Sequence, residues 1–134
     1  MTDDDDADRD ESELLAGIRS ICLGFPEATE RLSHGTPTFF VRGKTFVYAW
    51  LDGHHDNAFP HLWCAAAPGV QDALVTSEPS RFFRPPYVGH RGWIGMRLDG
   101  SVDWDEIAEV GEDAYRAVAP KRLVAGLDGA EPAP

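Results

Sequence analysis

Residues 38–51, Thr38-Phe39-Phe40-Val41-Arg42-Gly43-Lys44-Thr45-Phe46-Val47-Tyr48-Ala49-Trp50-Leu51, divide into two β-rich runs around a glycine. Thr38 to Arg42 is apolar and β-branched, while Lys44 to Leu51 alternates around Phe46, Tyr48 and Trp50, the pattern of a strand with two unlike faces. The Arg42-Gly43-Lys44 link is short enough to make the pair an antiparallel hairpin. With no helix between them, these strands are not the start of a parallel βαβ unit.

Upstream, Glu30 to His34 alternates weakly and reads as a further strand, with His34 before Gly35 as a turn residue. Leu14, Leu15, Ile18, Ile21 and Cys22 recur at helical spacing, so a first helix is expected over Ser12 to Cys22, with Ser12 as its cap and Gly24 and Pro26 ending it. Downstream, Asp52 to Pro60 is turn-rich and His61 to Ala66 forms another strand. Pro68 opens a short helix reaching Thr76, and Pro79 closes it. Ser80 to Gly92, with Pro85, Pro86 and two glycines, is an ordered loop or irregular edge, followed by a strand from Trp93 to Leu98. Asp103 caps a last helix reaching Ala119, Glu106 completes a capping-box pattern, and Pro120 and the GAEPAP end mark a frayed C-terminus. The sum is an α+β domain: a two-layer, mostly antiparallel sheet of about five strands with helices on one side, spanning residues 12–128 between an acidic leader (1–11) and a frayed tail (129–134).

Composition fits one ordinary globular domain, at 134 residues and 43% hydrophobic. No apolar run approaches the roughly 20 residues that span a bilayer, and the acidic start is unlike a secretory signal, so no membrane partner and a cytoplasmic location are expected. Net charge is −11, but residues 3–13 hold eight acids against Arg9 and so account for seven of those charges. Such a run repels itself and is expected to remain a solvated tail. Cys22 and Cys64 are far apart in sequence and outside any CxxC pair, which makes them buried structural thiols.

Between Pro79 and Leu98 the composition inverts: Arg81, Arg84, Arg91 and Arg97, His90, and Phe82, Phe83, Tyr87 and Trp93 occur with no acid. Arginine grips phosphate or carboxylate through paired N–H donors and aromatic faces stack on bases, so Arg81, Arg84, Tyr87, His90, Arg91, Trp93 and Arg97 are candidate ligand- or nucleic-acid-binding residues. The competing structural reading puts the aromatics in the core and pairs the arginines with last-helix acids such as Asp105, Glu109 or Glu112, for about 0–1 kcal/mol each. His54, His55 and His61 with Asp56 could ligate a transition metal, but their spacing matches no zinc pattern, and they read as exposed loop residues. Catalytic residues, metal sites and cofactors are each expected to be none: there is no GxSxG elbow and no cysteine with an evident histidine partner.

The segment Pro85-Pro86-Tyr87-Val88-Gly89-His90-Arg91-Gly92-Trp93-Ile94-Gly95, then Leu98-Asp99-Gly100 and Ala114 to Leu123, resembles the MmcQ/YjbR family. Gly24 to Glu30 and Phe39 to Phe46 resemble its link to the first strand and its first hairpin, and the likeness runs from about Ser12 to Asp128. The resemblance implies an antiparallel sheet with helices on one side and the DNA-binding label attached to that family. It implies no catalytic set. Where relatives often continue Trp-Asn-Thr, this chain has Trp93-Ile94-Gly95, so no role of that asparagine carries over. The reading is a non-catalytic module for DNA, another nucleic acid or an anionic small molecule; the alternative is a protein-interaction or structural module with Trp50, Trp63 and Trp104 as anchors.

Overall fold

The computed structural model describes residues 3–52 and 59–128. Along the chain lie α1 (Asp3–Cys22), β1 (Ala28–Ser33), β2 (Thr36–Val41), β3 (Lys44–Trp50), β4 (His61–Cys64), α2 (Val70–Ser77), β5 (Phe82–Phe83), a 3-10 turn (Gly89–Arg91), β6 (Ile94–Arg97), α3 (Trp104–Val118) and α4 (Lys121–Leu127). The strands form one antiparallel sheet in the order β1-β2-β3-β4-β6-β5. The first two hairpins turn on His34-Gly35 and Arg42-Gly43, and all four residues have positive φ, as a tight two-residue link between twisted strands requires.

Strand alternation gives the sheet two faces. Paired positions Val47, Cys64 and Ile94, with Ala49, Leu62 and Met96, lie on one face. That face shares a buried core with Ile18 and Cys22 of α1 and Ile107, Val110 and Ala114 of α3. The other face carries Tyr48, Trp63, Gly95 and Phe83 across four strands. In β3, strict alternation would place Phe46 beside Tyr48. Instead Phe39 pairs with Val47 and Phe40 with Thr45, so Phe46 is the extra residue of a β-bulge. Phe46 therefore reaches the helix side, 5.6 Å from Tyr115 and 6.1 Å from Phe25, while Tyr48 and Trp50 stack at 6.0 Å on the opposite face.

Several boundaries differ from the expectation. Helix α1 starts at Asp3 rather than Ser12, so the acidic segment is helical and Ser12 is not a cap. The sheet has six strands because Phe82–Phe83 adds an edge strand too short to show a period. Beyond Pro120, where no further helix was expected, α4 forms: proline is as suited to opening a helix as to ending one. Leu123 is buried, and Arg116 bonds both Glu112 and Asp128, tying α4 to α3. Residues 129–134 lie outside the described part. No helix among the described residues is long and apolar enough to cross a membrane.

Candidate functional site

The four arginines of the acid-free stretch go to four different places. Arg81, just before β5, pairs with Glu106 in the first turn of α3. Arg84 donates to the side-chain oxygen of Gln71 on α2 at 3.1 Å. Arg97 grips Asp99 with two bonds of 2.7 and 3.0 Å and covers the Phe59 ring at 4.0 Å. That hydrogen-bonded guanidinium holds the Asp99 carboxyl below its ordinary range. Arg91 lies 5.2 Å over Trp93 and pairs with no carboxylate among the described residues. The expected joint surface of Arg81, Arg84, Arg91 and Arg97 is therefore not assembled: Arg81 and Arg97 follow the structural reading, with Glu106 and Asp99 in place of Asp105, Glu109 and Glu112.

The aromatic candidates separate as well. Trp93 is buried, its ring 5.9 Å from Tyr48, so it supports the site from beneath and cannot stack on a ligand. Tyr87 is 72% exposed at φ 65, with its ring 6.4 Å from Trp63, and His90 is exposed on the 3-10 turn. Of the proposed protein anchors, Trp50 and Trp63 are buried within the aromatic layer, which leaves Trp104 at 39% exposure.

What the fold does assemble is a depression of about 370 Å³ lined by Lys44, Thr45, Tyr48, Arg91, Ala117 and Val118, a volume within the small-ligand range. Lys44 begins β3 and Thr45 and Tyr48 follow on it, Arg91 ends the 3-10 turn, and Ala117 and Val118 close the wall from the last turn of α3. Two basic and two hydroxyl-bearing residues line the space, and among the described residues no acidic one does. A second depression of about 360 Å³ contrasts with it, since Glu13 and Asp99 are among its walls. Lys44, Thr45 and Tyr48 were not read as site residues: they belong to the strand pattern, and only the scarcity of lysine, two in the chain, marks Lys44.

His61 was expected in an exposed loop with His54 and His55. It is fully buried at the start of β4, and Nδ1–H donates to the Phe59 carbonyl at 2.8 Å; that bond and the ring contacts with Phe83 and Trp63 make the imidazole compatible with a core. His54, His55 and Asp56 lie outside the described residues.

Fold and depression together define a small α+β domain with a cleft whose lining includes Lys44, Arg91 and the last turn of α3. The chain belongs to the YjbR family, whose model matches residues 23–117, a span that includes every residue of the cleft except Val118. Among solved structures it is similar to the Deinococcus radiodurans protein DR2400, which carries the DUF419 domain: identity is 19%, 75% of each chain is covered, and the TM-score is 0.63. That likeness is one of fold. No curated protein matches the sequence.

Proposed function

We propose that this protein is a non-catalytic binding module that takes a small anionic ligand, phosphate or carboxylate, in the cleft between Lys44 and Arg91. The observation that carries the reading is the lining: Lys44 and Arg91 share one depression with Thr45 and Tyr48, and among the described residues no acid is in its wall. Arginine supplies paired donors and lysine a point charge, an arrangement that fits an oxyanion. Duplex DNA is a less supported form of the same reading, because Arg81 and Arg97 are already engaged by Glu106 and Asp99 and the chain carries −11 overall. A cytoplasmic location belongs to this proposal; two free, buried thiols fit it.

The test is a titration with inorganic phosphate and pyrophosphate at low salt, followed by NMR shifts, with short duplex DNA as a parallel arm. Shifts should concentrate at Lys44, Thr45, Arg91 and Trp93, and Lys44→Met or Arg91→Met should each weaken binding roughly tenfold, the loss of one charge-assisted hydrogen bond. Saturable DNA binding whose affinity falls steeply with salt, with no phosphate response in the cleft, would favour the nucleic-acid form instead. Neither response would leave the protein-interaction reading, for which Leu23, Leu32 and Trp104 are exposed apolar side chains.

A further inference from the structure

Gln71, on the first turn of α2, is a polar side chain buried to 7% exposure. Its amide N–H groups donate to the Gly89 carbonyl at 2.8 Å and the Trp93 carbonyl at 2.5 Å, and its oxygen accepts from Arg84. The two carbonyls bracket His90-Arg91-Gly92, the turn that delivers Arg91 to the cleft. A primary amide is suited to this place, because it combines two donors and an acceptor in one plane, whereas a carboxylate has no donor and an aliphatic group has neither. Arg84 completes the knot from above: a Cβ on Gly89 would fall 2.8 Å from its Cγ, so turn and arginine are in close contact. Within the turn itself, the Arg91 to Val88 and Gly92 to Gly89 backbone bonds are each 3.0 Å.

We infer that Gln71 is the positioning residue of the cleft, fixing the Gly89–Trp93 segment so that Arg91 faces Lys44; this rests on the anion-site reading above. It touches no ligand and acts through the backbone of its neighbours. Gln71→Met keeps the bulk and removes every hydrogen bond. Gln71→Glu is isosteric, keeps the acceptor for Arg84 and removes both donors, and so remains informative if the methionine variant fails to fold.

Hydrogen exchange and phosphate titration on the full chain read the outcome. In both variants the Arg91 and Gly92 amides should exchange faster while those of Val47 and Cys64 keep wild-type protection. Phosphate affinity should fall roughly fivefold, the effect of one neutral hydrogen bond. Unchanged exchange at Arg91 and Gly92 in the glutamate variant overturns the inference, as does a faster turn with unchanged affinity. If the wild-type protein binds no phosphate, the anion site fails, and the exchange comparison alone decides whether Gln71 holds the segment.

Discussion

Gly17 and Gly95 each lie under an aromatic ring, yet their replacement by alanine should have unequal consequences. A Cβ at Gly95 would collide with the Phe83 ring, which is held by Phe59 and His61 at 5.7 and 5.6 Å. That ring cannot yield without opening the aromatic layer, so Gly95→Ala should destabilise by about 1–3 kcal/mol, the usual range for overpacking, measured as a lower urea midpoint at unchanged slope. A Cβ at Gly17 would meet the Trp104 ring, which is 39% exposed and free to swing outward. Removing a glycine from a helix interior gains about 0.5–1 kcal/mol, so Gly17→Ala should be near neutral; a loss as large as that at Gly95 would show that Trp104 is fixed. Arg91 makes the same point for the site. Its residue type was legible, but that it pairs with no carboxylate among the described residues depends on which neighbours the fold gives to Arg81 and Arg97, and no spacing rule contains that.

Among elements, α3 is the one best specified locally. Asp103 accepts from the amides of Asp105 and Glu106 at 3.0 and 3.2 Å, as its place before an apolar-periodic run implies. Asp103→Ala should cost about 1 kcal/mol. The loss should appear as faster exchange of the first-turn amides of α3, and an unchanged first turn would mean that packing on the sheet alone sets the start. The second half of the capping-box pattern resolves differently: the Glu106 carboxylate is taken by Arg81, a partner 25 residues away. Elements with a period and a punctuated end, such as β2, β3 and α3, could be read from the chain. A two-residue edge strand has no period, and a helix that opens on the same proline that ends its predecessor has ambiguous punctuation, which is why β5 and α4 could not. The cleft falls between those classes, since Lys44 and Tyr48 come from a legible strand but meet Arg91 only through the fold.

At the scale of the whole molecule, charge and burial act on opposite sides of neutrality. On the acid side, Glu27, Asp99 and Asp128 are held below ordinary carboxylate values, first by hydrogen bonds from Arg42, Arg97 and Arg116. A depressed folded value stabilises above about pH 4 and is lost as pH falls through it. These groups are solvent-exposed, so that decline should be shallow. On the alkaline side the thiols dominate: burial pushes Cys22 up to about 12, and Cys64, in the same core, is also raised by burial. An unfolded thiol ionises near pH 8.5, so between that pH and about 12 the unfolded chain releases protons that the folded chain keeps. Stability is then intact below about pH 8.5 and falls by up to about 1.4 kcal/mol per pH unit for each thiol above it. Urea unfolding at pH 7.5, 9 and 10 should show this decline in the wild-type protein. The Cys22→Ala, Cys64→Ala double variant should start lower, because two buried side chains have been shortened, yet lose less between pH 9 and 10. Equal declines in the two proteins would place the alkaline sensitivity elsewhere, with Tyr115 the first group to test: its hydroxyl donates to the Pro26 carbonyl at 2.7 Å, and burial raises its pKa too.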